Sequence, residues 1–211
     1  MYYSVLRQVY IPNTQKAIEQ SMVDSNKTKD KTERLTKNDW LAAALKSLST
    51  HGVGSVKIVP LAKQLGVTSG SFYWHFSDRP ALYDALLDYW EQEMTDKAIE
   101  AAKDFKGASP KDRIWGLMEQ VMDSGMAKYD LAIWHWAQSY EKAQKVFSRA
   151  VEKRFSFAAW MFEQAGFDKI QAESRGRMMV VYMMGESTLL PEDHRNRKEV
   201  LKLKYELLTT P

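Results

Sequence analysis

The 211-residue sequence has no cysteine, which excludes structural disulfides and thiolate metal sites and makes a reducing cytoplasm the natural setting. Long apolar runs are missing too. The longest, Met178–Gly185, sits between Arg177 and Glu186. A membrane span needs about 20 such residues, so a soluble protein with no membrane partner is expected. Met1–Pro12 lacks the basic start, apolar core and small-residue cleavage site of a secretory signal, and a cytoplasmic location is expected. Signatures of catalysis are also missing. There is no GxxxxGK phosphate loop, no nucleophile elbow and no HExxH. The histidines, His51, His75, His135 and His194, are scattered without metal-ligand spacing. Neither an enzyme nor a metal or cofactor is expected.

Positive charge is present in excess, but only in one part of the chain. Residues 1–80 hold 11 Lys and Arg against 6 Asp and Glu, a balance of +5, while residues 81–211 come to −2. Such asymmetry points to an anionic partner for the N-terminal part. Residues 1–33 carry no periodic apolar positions after a short apolar start, and read as a flexible leader. Lys27, Lys29, Lys31 and Arg34 give it the alternative of a basic arm along DNA.

From Arg34 onward the pattern is helical almost throughout, with no convincing strand or repeat. Trp40, Leu41, Ala44, Leu45 and Leu48 line one helix face, stopped at His51-Gly52-Val53-Gly54. A short helix follows at about Ile58–Leu65, with Pro60 in its first turn. Thr68 can cap another at about Ser69–Phe76. Ser77 or Asp78 caps a long helix running to about Lys103. Helices resume after Gly107-Ala-Ser-Pro110, at Leu131–Trp136, and from Val146 to Phe162 before Gly166. Two more span about Asp168–Leu190 and Asp193–Leu208, parted at Pro191. The fold expected is all-α, with about nine helices.

Chemistry concentrates in Ile58–Phe76, IVPLAKQLGVTSGSFYWHF. A helix-turn-helix needs a small residue inside its first helix, and Ala62 supplies it. It needs a positive φ at the turn four positions on, where Gly66 sits. Phe72 then faces inward, with Leu61, Leu65, Val67 and Phe76 completing a small core. Ser69, Ser71, Tyr73, Trp74 and His75 face outward, on a short helix that can enter a major groove.

The run Gly66-Val-Thr-Ser-Gly-Ser-Phe-Tyr-Trp-His-Phe76, followed by Ser77-Asp-Arg-Pro-Ala-Leu82, resembles the DNA-binding signature of the TetR family of transcriptional regulators. The resemblance covers Arg34 to about Ala85. It implies a helix-turn-helix domain over 34–80 and a helical ligand-binding and dimerisation domain over 81–211. It implies that Tyr73 and His75 touch phosphates and that Arg79 stands at the family's usual Lys position, where charge and helix N–H groups meet a phosphate. Ser69, Gly70, Ser71 and Trp74 lie where bases are met, and Thr68 belongs to the same DNA-binding set. The family's usual Ser or Thr cap is replaced by Lys57, which can meet a phosphate; the cap is either lost or passed to Ser55. Position 69, often Lys or Arg in the family, is Ser.

The resemblance further implies an apolar ligand cavity, for which Trp115, Met118, Met122, Trp134, His135, Phe155 and Trp160 are candidates among the many aromatic and Met side chains of residues 110–165. It implies that the last two helices pair with those of a second copy through Met178, Val181, Tyr182, Leu201, Tyr205 and Leu208. The function expected is a repressor that grips a palindromic double-stranded operator as a homodimer and is released by an unidentified small-molecule effector. The alternative, kept open by Ser69, is a helical small-molecule-binding or adaptor protein with weakened sequence-specific DNA binding.

Overall fold

The first described helix is capped by Thr36. Its hydroxyl accepts from the Asp39 N–H at 3.3 Å, and the Asp39 carboxylate accepts from the Thr36 N–H at 2.7 Å, a capping box that fixes the first helix start. The computed structural model describes residues 35–103, 109–189 and 197–211. Among the described residues there are nine α-helices and no strand. They are α1 (Lys37–His51), α2 (Ile58–Gln64), α3 (Arg79–Glu91), α4 (Lys97–Lys103), α5 (Pro110–Ser124), α6 (Ala127–Ala137), α7 (Glu141–Gln164), α8 (Lys169–Leu189) and α9 (Arg197–Thr209). Short 3-10 helices occupy Val53–Ser55 and Ser69–Trp74, and a π turn at Gln92–Asp96 joins α3 to α4. The all-α architecture read from the sequence holds. The leader with Lys27, Lys29, Lys31 and Arg34, and also Pro191 and His194, lie outside the described residues. No helix among the described residues is long and apolar enough to cross a membrane.

The chain forms two units. The first comprises described residues 35–93 together with 131–147. It is larger than the expected 34–80, because aromatic side chains of α3 pair with later ones. Tyr83 meets the Trp136 ring edge-on at 5.0 Å and Trp90 stacks on Phe147 at 5.9 Å. Lys142 reaches the Asp84 carboxylate at 2.8 Å. Trp40, Leu45, Leu61, Phe72, Leu82 and Trp90 are fully buried in its core, and Trp40 meets Phe72 at 5.5 Å. Each such side chain contributes about 1.5–3 kcal/mol through removal from water.

The second unit comprises described residues 94–130 and 148–211. Its core gathers Ile114, Met118, Phe157, Phe162, Met179 and Leu201 from α5, α7, α8 and α9. Helix α8 crosses α7 closely at Gly176, where an added Cβ would lie 2.7 Å from the Ala159 backbone nitrogen. Asp168, expected as the first residue of α8, instead precedes it and accepts the Gln171 N–H at 2.9 Å. Ser109 and Asp112 form a second capping box at the start of α5.

Candidate nucleic-acid interface and effector cavity

The turn of the first unit is closed by its own backbone. Gly66 has φ +70°, its N–H donates to the Lys63 carbonyl at 3.2 Å, and the Val67 N–H donates to the Ala62 carbonyl at 3.0 Å. These are the two bonds of a Schellman motif, which requires the left-handed residue that glycine supplies. Ala62 is buried, as the close packing of the two short helices demands.

The segment after the turn departs from expectation. It is a 3-10 helix from Ser69 to Trp74, and Thr68 stands before it without a side-chain cap bond. The Ser71 N–H donates to the Thr68 carbonyl and the His75 N–H to the Phe72 carbonyl, at 3.1 and 2.9 Å. With three residues per turn, Ser69, Phe72 and His75 fall on one line, Gly70 and Tyr73 on a second, Ser71 and Trp74 on a third. Phe72 is buried, so His75 behind it is half-buried. The other two lines carry Tyr73 and Trp74 outward, 62% and 87% exposed. Ser69, Gly70 and Thr68 are exposed and Ser71 is half-buried.

Lys57 is exposed at the N-cap of α2 and makes no side-chain cap bond. The cap has not passed to Ser55, whose hydroxyl lies within hydrogen-bond distance of the Gly52 and Ser47 carbonyls, at 2.7 and 3.0 Å. At the start of α3 the Asp78 carboxylate accepts the Ala81 N–H at 2.8 Å, which settles the cap on Asp78 rather than Ser77. Pro80 has no N–H. The first turn of α3 therefore leaves a phosphate only the Arg79 N–H and the Arg79 side chain, fewer N–H groups than expected. The exposed Arg79 guanidinium rests 5.3 Å from the centre of the Tyr83 ring. The Tyr83 hydroxyl in turn donates to the Val56 carbonyl at 3.5 Å.

A cavity opens in the second unit, with about 700 Å³ of atom-free space, part of it open to solvent. Side chains from the π turn, α4, α5, the start of α6, α7 and α8 form its wall. Of the seven candidates from the sequence, only Met118 lines it. Trp134 and His135 belong to the first unit, where they are exposed and touch each other at 5.0 Å. Trp115 turns to the Tyr205 ring at 5.3 Å, Trp160 stacks on Phe157 at 5.6 Å, and Phe155 lies beneath the Arg177 guanidinium at 5.4 Å. Met122 is buried, and its carbonyl accepts from Arg197.

The cavity residues that sequence reasoning passed over are Thr95, Asp130 and Arg154. Arg154 reaches both Asp130 oxygens, at 2.6 and 3.1 Å, and donates from Nε to Thr95 Oγ1 at 3.0 Å. The Arg154 and Asp130 side chains are 14% and 10% exposed. Residues 59 and 24 apart in sequence make these bonds, so no local pattern reveals them. Among the described residues no cluster of His, Asp and Glu has the makings of a metal site.

The last two helices divide the dimer candidates. Leu201 and Leu208 are buried in the core of their own unit, so they are not free to meet a second copy. Tyr205 is half-buried against Trp115. Tyr182 is half-buried, and its hydroxyl takes the Lys204 amine, whose ammonium form is pushed below the ordinary lysine range by burial. Met178 and Val181 remain exposed, in line with Ile170 on α8; Leu203 and Leu207 make a second exposed apolar line on α9. Leu203 and Leu207 were missed because α9 is apolar on several sides, and the sequence does not say which side its own chain covers; Ile170 was missed because it stands at the start of α8, apart from the apolar run at Met178–Gly185.

Residues 41–86 match the family model described as bacterial regulatory proteins, tetR family. The chain is 32% identical over 100 residues to the HTH-type transcriptional regulator AcrR of Shigella flexneri, 47% of this chain and 46% of that one. It is 35% identical over 71 residues to the class A tetracycline repressor protein from transposon 1721 of Escherichia coli, 34% of this chain and 33% of that one. These matches thus span less than half the length of either relative. In structure it resembles a TetR transcriptional regulator from Legionella pneumophila, with a TM-score of 0.71 and 15% identity over 83% of this chain and 98% of the other. Residues 41–86 thus form a helix-turn-helix segment of the TetR family of bacterial transcriptional regulators.

Proposed function

We propose that the protein is a ligand-responsive transcriptional repressor of the cytoplasm, which binds a palindromic operator as a homodimer and releases it when a small molecule fills the cavity. The observation that carries this reading is the exposure of Tyr73 and Trp74 on the helix after the turn. Large aromatic side chains left 62% and 87% in water, beside exposed Lys57, Ser69 and Arg79, suit a phosphate-lined groove better than a free surface. In this reading Lys57, Tyr73, His75 and Arg79 meet phosphates, while Thr68, Ser69, Gly70, Ser71 and Trp74 meet base edges or thymine methyls.

The second copy is taken up by the exposed lines on α8 and α9, with Met178 and Val181 from the original set and Ile170, Leu203 and Leu207 added. A two-fold pair sets two reading heads about 34–36 Å apart, one turn of DNA. Coupling runs through the π turn. Met94 and Thr95 belong both to that turn and to the cavity wall, and α3, which begins at Arg79, runs directly into that turn. An effector that displaces the turn favours the geometry that fails to span both half-sites. Allosteric coupling of about 1–3 kcal/mol is typical. Hydroxyl-radical footprinting of the region upstream of the gene tests the reading. Two symmetric protected patches one helical turn apart support it; a single patch, or none, rejects the palindromic dimer.

A further inference from the structure

We infer, taking the cavity as the effector site proposed above, that it selects an uncharged, largely apolar molecule with one hydrogen-bond acceptor such as a ketone or ether oxygen, and rejects free carboxylates and amines. The polar part of the wall is Thr95, Asp130 and Arg154, and Arg154 is bonded to the other two. Arg154 grips Asp130 with both Nη atoms in a fork that satisfies the carboxylate on both oxygens. The pair carries no net charge and is mostly out of water.

A carboxylate effector has nowhere to go in such a wall. To reach Arg154 it must displace Asp130, leaving that carboxylate unpaired in an apolar surround, or sit beside it as a second negative charge. An amine meets the mirror of this problem: to reach Asp130 it must displace Arg154, leaving that guanidinium unpaired, or sit beside it as a second positive charge. Thr95 is different. Its Oγ1 accepts from Arg154 Nε, which leaves the hydroxyl hydrogen to donate to a neutral acceptor. The rest of the wall is apolar, and Met94, Met118, Met126, Met179, Met183 and Met184 contribute six of the chain's 11 methionines. Unbranched thioethers re-pack around differently shaped guests, so shape is loosely specified while charge is not.

The test uses the full-length protein and displacement of the uncharged dye N-phenyl-1-naphthylamine by 2-decanone, decanoate and decylamine. The ketone displaces the dye at concentrations about tenfold lower than either ion, as expected where a buried pair must be broken to admit a charge. Thr95→Val weakens the ketone while leaving decane unchanged. Asp130→Asn removes the counter-charge of Arg154 and raises decanoate affinity relative to the ketone, with circular dichroism confirming the fold; the wild-type comparison stands without it. Decanoate or decylamine binding as well as the ketone to the wild type overturns the selectivity. Ketone binding that persists in Met118→Trp, where the indole fills the cavity, overturns the effector-site reading itself, as does failure of the dye and all three molecules to bind.

Discussion

Trp74 is the side chain whose position is hardest to explain without a partner, since 87% of an indole stands in water. Truncating it removes no contact within the core. Trp74→Ala is therefore expected to leave the melting temperature unchanged while weakening operator binding by about 1–3 kcal/mol, the scale of a base contact. Thermal denaturation and fluorescence anisotropy on the same sample check both halves. Gly66 gives the opposite pattern. An added Cβ there meets nothing within 4 Å, but φ is +70°, so Gly66→Ala is expected to cost about 1–2 kcal/mol from backbone strain alone. Urea unfolding measures it. The residues of the turn were legible in the sequence because local geometry fixes them: Ala62 and Gly66 serve contacts made within a few positions, and Phe72 lies at a fixed spacing from the turn even though it packs on the distant Trp40. The cavity residues were not. Trp134 and His135 drew notice by type, while Arg154 gives no local sign that its partners are Thr95 and Asp130.

Helices were legible from their apolar spacing, and their ends from Gly, Pro and capping residues, to within a few positions. The character of two short elements was not. The segment at Ser69–Trp74 is too short for periodicity to separate an α-helix from a 3-10 helix, and the sequence did not show that His75, at its C-cap, is half-buried. The π turn at Gln92–Asp96 was read as part of one long helix, because a single extra residue hardly disturbs an apolar pattern. Packing between elements was equally hidden. Gly176 sits in a run of ordinary helix residues, but α7 passes so close that Gly176→Ala is expected to destabilise the second unit by about 1–3 kcal/mol despite the better helix propensity of alanine. A rise in stability in chemical denaturation would contradict that crossing.

For the whole molecule, the all-α fold followed from the sequence, while the surface left for a second copy did not. Leu201 and Leu208 satisfy their own unit, and Ile170, Met178, Val181, Leu203 and Leu207 stay exposed. Val181→Asp with Leu207→Asp is expected to yield a folded monomer in sedimentation velocity, with operator affinity reduced far more than Trp74→Ala reduces it, because both half-sites must be held together. A double variant that remains dimeric places the partner elsewhere. The account rests most heavily on phosphate contact by the exposed surface around Lys57, Tyr73 and Arg79. Anisotropy titration of the upstream DNA fragment across a salt series measures this directly. The account predicts that log affinity falls steeply with log salt, and that Lys57→Ala with Arg79→Ala shallows the slope by about 4 through the loss of two cationic contacts from each protomer of the bound dimer. An unchanged slope in the folded variant, or no binding by the wild type at low salt, would contradict it.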